Sequence, residues 1–199
     1  MWCVILAAGF SRRMGQQKLL LPLGSQQSVL GAVIETSLRV KSLKGVIVVV
    51  RDDDEAVQSL VRTYPVTCLS NAASDLGMST SLILATHACA KQSADAMMVL
   101  LGDMPGVRSE TMVAMVDAYT NHRAPFVQAR YRDGLSHPVL FDQSLFQELG
   151  AVRGDEGARS ILQKYRTEAV TVDVPLDVPM DLDTPEAYTA YLRREDWKA

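Results

Sequence analysis

Trp2-Cys3-Val4-Ile5-Leu6-Ala7-Ala8-Gly9-Phe10-Ser11-Arg12-Arg13-Met14-Gly15-Gln16-Gln17-Lys18 opens the chain, and its reading decides the fold. Residues 2–6 are a short apolar run of the kind that makes a strand buried on both faces of a sheet. Ala7-Ala8-Gly9 ends it. Gly9 and Gly15 then flank a polar stretch. Glycine lets the backbone turn tightly and approach a ligand with no Cβ in the way. Successive backbone N–H groups in such a turn converge on an anion. Arg13 and Lys18 add positive charge suited to phosphate. In open α/β sheets a loop at a strand's carboxyl end lies where ligands bind. The same residues also fit a plain strand-to-helix turn with solvated arginines.

Outward from this stretch, short apolar runs alternate with longer amphipathic ones. Strands are predicted over 2–6, 46–50, 66–69, 96–101, 126–130, 138–141 and 169–174. Helices are predicted over 29–40, 55–63, 77–89, 109–121, 144–149, 157–165 and 185–194. Asp52–Asp54 are candidate caps for the second helix and Ser109 for the fourth, with Met112, Val113 and Val116 facing inward. Strands alternating with helices imply βαβ units and a mostly parallel sheet. Residues 125–165 break the alternation and read as an excursion covering one side of the site. The length, 199 residues with 48% hydrophobic, fits a single domain spanning 1–199.

Composition excludes several classes of function. Twenty basic against 23 acidic residues leave a net charge of −3, so there is no bulk basic field for nucleic acid. Three cysteines, Cys3, Cys68 and Cys89, are odd in number, widely spaced and set in apolar runs. They read as free buried thiols in a reducing compartment. The opening apolar run is short with no basic residue before it, unlike a secretory signal. No stretch approaches the roughly 18 apolar residues of a membrane span. The reading is cytoplasmic, with no membrane partner.

Related glycine motifs do not fit the opening loop. A P-loop needs Gly-Lys-Ser/Thr, but Gln16-Gln17 follow Gly15. Ser11 stands at the second glycine of GxGxxG, and Arg13 at the last glycine of GxSxG. Further along, Leu101-Gly102-Asp103-Met104-Pro105 sets a carboxylate after the strongest strand. That place suits Mg²⁺ held against phosphate, since magnesium is commonly bound by one or two carboxylates plus phosphate oxygens. It also suits an ordinary turn aspartate. In Asp181-Leu182-Asp183-Thr184-Pro185, either Asp183 or Thr184 caps a helix with Pro185 in its first turn. Asp181 and Asp183 alternate along an extended segment and so face opposite ways, and only one of them points at a metal held by Asp103. Asp183 is preferred. Gly77-Met78-Ser79-Thr80-Ser81 starts a helix whose free N–H groups and hydroxyls suit a sugar or phosphate, or are simply capped by serine.

Leu6-Ala-Ala-Gly-Phe-Ser-Arg-Arg-Met-Gly-Gln-Gln-Lys18 resembles the LAAGxSxRMGxxK signature of the MobA-like nucleotidyltransferases, most of all the molybdenum cofactor cytidylyltransferase branch. Asp103 lies in a run like that family's GDxP motif, and Asp183 in one like its DIDTPED ending. Asn71 and 77–82 resemble its asparagine and GMxxSL stretch, although Ser74 stands where the family often has an aromatic residue. Residues 134–139 resemble its GHPV segment, with Ser136 where glycine is usual, and 154–159 its GDxGAR segment. The resemblance implies a Rossmann-like three-layer αβα sandwich with a mostly parallel sheet, of the nucleotide-diphospho-sugar transferase type. It implies Leu6, Ala7, Ala8, Gly9, Ser11, Arg13, Gly15, Lys18, Asn71, Gly77, Ser79 and Ser81 as nucleotide-binding. Arg13, Lys18 and Asp103 are implied as catalytic, Asp103 and Asp183 as ligands of Mg²⁺, and His137, Asp155 and Arg159 as acceptor-binding.

The implied reaction moves CMP from CTP to the phosphate of molybdenum cofactor (molybdopterin) and releases pyrophosphate. Cytidylyl members read Leu-Ala-Ala-Gly where guanylyl members read Leu-Ala-Gly-Gly, so Ala8 points to CTP over GTP. The alternatives are a guanylyltransferase or small-phosphate nucleotidyltransferase of the same fold, or a chaperone delivering molybdenum cofactor to a molybdenum hydroxylase client.

Overall fold

The computed structural model describes residues 1–11, 13–24, 27–154 and 157–193. In chain order the elements are β1 (Trp2–Ala7), β2 (Pro22–Leu23), β3 (Gln27–Ser28), α1 (Val29–Arg39), β4 (Val46–Arg51), α2 (Glu55–Val61) and β5 (Thr67–Asn71). There follow α3 (Met78–Lys91), β6 (Ala96–Leu101), α4 (Ser109–His122), β7 (Phe126–Tyr131) and β8 (Gly134–Asp142). The last are α5 (Phe146–Leu149), α6 (Arg159–Lys164), β9 (Val170–Asp173) and α7 (Pro185–Arg193).

Seven strands form one sheet in the order β5-β4-β1-β6-β8-β7-β9. β1 pairs in parallel with β4 and β6, and β4 in parallel with β5. β8 runs antiparallel to β6 and β7, and β9 is parallel to β7. The pleat sorts alternate residues to opposite faces. Cys3, Ile5, Val48, Met98 and Leu100 meet Leu30, Ile34, Val57, Met112 and Tyr119 of α1, α2 and α4. Val4, Ile47, Val49, Met97 and Val99 meet Leu82, Ala85, Leu149 and Ile161 of α3, α5 and α6. Burial on both faces explains why β1, β4 and β6 read as unbroken apolar runs rather than alternating ones. The result is a three-layer αβα sandwich of Rossmann-like type. No helix among the described residues is long and apolar enough to cross a membrane.

Several local expectations need correction. Residues 126–131 and 134–142 are two strands of the sheet, with β8 beginning at Gly134 rather than at Pro138. Polar residues Ser136 and His137 hid that start from a hydrophobicity reading. Ser109 is the first residue of α4, whose cap position is Arg108 with no side-chain bond. Val113 is 41% exposed, and Met115 takes the inward place. The short antiparallel pair β2–β3 leaves no signal in the sequence, since two-residue strands carry no periodicity.

Gly45 lets the chain pass beneath the indole of Trp2: a Cβ there would come 2.5 Å from Trp2 Cζ3. Gly45→Ala is expected to cost roughly 1–3 kcal/mol by overpacking. A urea-unfolding midpoint equal to that of the parent chain would contradict this packing.

Candidate active site

The carboxyl ends of β1 and β6 lie side by side, and the loops that follow them form one wall of a cleft of about 490 Å³. Ligand pockets commonly fall within roughly 300–1,000 Å³. Leu6, Ala7, Ala8, Gly9, Ser11, Arg13 and Lys18 line it from the first loop. Gly77 and Ser81 line it from the start of α3, Asp103 from the loop after β6, and Asp181 and Asp183 from the segment before α7.

The loop after β1 is held by its own side chains. Ser11 takes a left-handed backbone (φ 45°) that carries the chain through the turn. Its hydroxyl donates to Gln17 Oε1 at 3.0 Å and accepts from Lys18 N at 3.3 Å. The Gln17 amide donates to Asp54, which also caps α2 through Val57 N. The loop is thereby tied to the one after β4, where the Arg51 guanidinium lies 4.3 Å from the centre of the Phe10 ring.

This network aims Lys18 inward. Its side chain is buried, and the ammonium donates to both Asp103 and Asp183. Burial disfavours the charged amine, but Asp103 and Asp183 overcome it and hold the Lys18 pKa above the ordinary lysine value. Burial likewise works against ionised Asp183. Bonds and charge from Lys18, with Arg13, more than offset it, so the carboxyl lies below its usual range. Arg13, largely exposed, donates to Asp183 from the mouth of the cleft.

The C-terminal segment differs from the extended reading. Asp183 N donates to Asp181 O at 3.0 Å, a tight turn that leaves both carboxylates on the cleft wall. Leu182 between them is fully buried with Leu23, Val29 and Tyr191. Its N–H bonds to the carbonyl of Asp103 at 3.1 Å, which stitches the two aspartate segments together. Asp181 is pushed up to about 6 by burial and then by Asp103 and Asp183. Thr184 caps α7, accepting from Ala187 N at 3.2 Å, which leaves the Asp183 side chain free to face the cleft.

Other expected residues stand behind the wall or away from it. Asn71 is buried; its amide donates to Thr80 Oγ1 and Ser81 Oγ, each at 2.9 Å, and its Oδ1 accepts from Ala73 N. It braces the start of α3. Asn71→Ala is expected to cost about 1–3 kcal/mol through partners left unsatisfied, read as a fall in the thermal midpoint; an unchanged midpoint would contradict the brace. Ser79 is buried and its N–H is taken by the Gly154 carbonyl at 3.1 Å, so this helix start is not wholly free for a ligand. Gly15 (φ 69°) is exposed and outside the lining.

His137 and Arg159 also lie outside the lining. The His137 ring donates from Nδ1 to the carbonyl of Val99 at 3.2 Å, and burial lowers its pKa, which favours the neutral ring. Arg159 is exposed at the start of α6. Asp155, like Arg12 and Glu156, lies outside the described residues. Phe10, Leu19, Ser74, Asp75, Met78 and Leu101 also line the cleft, beyond the nucleotide, metal and acceptor residues that the motifs imply. Met78 and Asp75 sit beside Gly77, so adjacency to a motif glycine was the available signal.

Residues 3–170 match the family model described as the MobA-like NTP transferase domain. The chain is 28% identical over 194 residues to purine catabolism protein PucB of Bacillus subtilis (strain 168), covering 93% of this chain and 92% of that one. It superposes on Rv0371c of Mycobacterium tuberculosis H37Rv with a TM-score of 0.82, at 27% identity and covering 98% of each chain. A manganese complex of that mycobacterial protein superposes with a TM-score of 0.80, at 27% identity over 96% of this chain and 97% of that one.

Proposed function

The chain belongs to the MobA-like NTP transferase family, and on that premise we propose that it transfers CMP from CTP to the phosphate of a molybdopterin-type acceptor and releases pyrophosphate. The observation that carries the reading is the meeting of Lys18 and Arg13 with Asp103 and Asp183 at one cleft, directly after the β1 loop.

The donor set fits a divalent cation. Two carboxylates from separate segments already converge on one cationic nitrogen. Among the described residues no three His, Cys, Asp or Glu side chains form a ready cage. That suits magnesium, which is held by one or two carboxylates and takes its other oxygens from phosphate and water. Asp103 and Asp183 would hold it; when bound, it neutralises charge on the phosphates. The manganese complex of the mycobacterial relative supports divalent-metal use.

The chemistry needs no side-chain nucleophile. The acceptor's phosphate oxygen attacks the α-phosphorus in line, and pyrophosphate leaves with its electron pair. Such transfer depends on positioning and charge neutralisation. The loop backbone from Ala8 to Ser11 orients the phosphates. Lys18 and Arg13 bind the β- and γ-phosphates and stabilise the departing charge. The three free thiols, two of them buried with pKa values pushed up to about 12, suit a reducing cytoplasm.

Base choice rests on Ala8, which is 9% exposed and lies on the cleft wall. Its methyl narrows the site beside the nucleotide and disfavours the larger purine. Pyrophosphate release with each of the four nucleoside triphosphates, Mg²⁺ and molybdenum cofactor is expected to be fastest with CTP. Ala8→Gly is expected to move preference toward GTP. Faster release with GTP by the parent chain would overturn the choice of base.

A further inference from the structure

Both cations expected to grip phosphate are already engaged by carboxylates. Lys18 bridges Asp103 and Asp183, and Arg13 holds Asp183 from the outer side. Among the described residues, the cleft wall carries these two cations against four carboxylates, Asp75, Asp103, Asp181 and Asp183. A triphosphate arriving without metal meets an excess of negative charge, and its two partners are occupied. A metal arriving alone meets an ammonium seated between its two ligands. Lys18 is also anchored: it is 7% exposed, its backbone N–H is bonded to Ser11, and it starts a 3₁₀ turn through Leu20.

We infer that Lys18 is an internal placeholder cation, which holds Asp103 and Asp183 together in the free protein and passes to the triphosphate only when a divalent ion takes its place between them. The inference rests on the nucleotide-binding reading of the cleft. Metal and triphosphate then bind with mutual dependence. Each relieves the charge imbalance that opposes the other, and the coupling is the same in both directions. Moving Lys18 without supplying another cation would leave Asp103 without its cation and Asp183 with Arg13 alone, a costly state for two converging, partly buried carboxylates.

Mn²⁺ binding, followed by electron paramagnetic resonance of the free ion without nucleotide, tests the inference. The parent chain is expected to bind Mn²⁺ weakly. Lys18→Met, which keeps the length and removes the charge, is expected to bind it about ten- to a hundredfold more tightly, within the usual range of such couplings. Lys18→Gln gives the same comparison should the methionine variant fold poorly. Adding Asp103→Asn to either variant is expected to return binding to the weak level.

Arg51→Met controls for general charge, because Arg51 pairs with Asp53 and Phe10 and with neither Asp103 nor Asp183. It is expected to leave Mn²⁺ affinity unchanged. Lys18 variants that bind Mn²⁺ no more tightly than the parent would overturn the placeholder role, as would an equal gain in Arg51→Met. A separate titration with α,β-methylene-CTP, with and without Mn²⁺, tests the nucleotide reading. Absence of binding in both conditions would sink that reading, whereas equal affinity in both conditions would sink the coupling.

Discussion

Asp103→Ala is expected to lower nucleotide transfer by at least roughly 10²–10³-fold, the usual loss when a group that stabilises transition-state charge is removed. Asp103 is the second residue after β6, one beyond the point where Gly102 N bonds to Leu6 O at 2.9 Å and ties the end of β6 to β1. Its carboxylate therefore has a place set by two central strands rather than by a mobile loop. The substitution removes only the side chain. The Asp103 carbonyl still accepts from Leu182 N, so the two aspartate segments stay joined. The fold is expected to survive, with Lys18 retaining Asp183 as partner. Pyrophosphate release at saturating triphosphate and Mg²⁺ measures the loss, and the circular-dichroism melt checks the fold. Turnover near that of the parent would remove Asp103 from the mechanism.

Lys18→Met is expected to lower kcat/KM for the triphosphate by a similar factor, about 10²–10³. The lysine has two tasks. It compensates two carboxylates in the free protein, and it carries positive charge to the leaving pyrophosphate. Losing the first task frees the carboxylates for metal, so tighter Mn²⁺ binding and slower turnover should appear in the same variant. A purely structural lysine would not produce that opposed pair of changes. Lys18→Arg keeps the charge but not the point geometry of the ammonium, and is expected to retain only part of the rate. Full activity in Lys18→Met would contradict the role assigned to this residue.

The sequence made the frame of the molecule legible because burial on both faces turns β1, β4 and β6 into unbroken apolar runs. It made the loop legible because Gly9, Ser11, Gly15 and Lys18 stand at a fixed spacing after such a run. The outer half of the sheet was harder. β8 pairs with two neighbours through its backbone while carrying Ser136 and His137, so its hydrogen bonds leave no mark in the hydropathy. The place of Asp181 is hidden for a related reason. Alternation predicts opposite faces only for an extended chain, and the bond from Asp183 N to Asp181 O replaces extension by a turn. Nor does spacing show that Asn71 braces α3 from behind the wall, or that Lys18 crosses the cleft to Asp183, 165 residues along the chain. Those contacts arise from packing distant segments together.

The central claim is the transfer itself, and the mass of the acceptor after reaction tests it most directly. Molybdenum cofactor incubated with the protein, CTP and Mg²⁺ is expected to gain the mass of one cytidylyl group, with one pyrophosphate released per adduct and adduct formed at least about a hundredfold more slowly by Asp103→Ala. An acceptor of unchanged mass after incubation with each of the four triphosphates, in Mg²⁺ or Mn²⁺, would contradict the account.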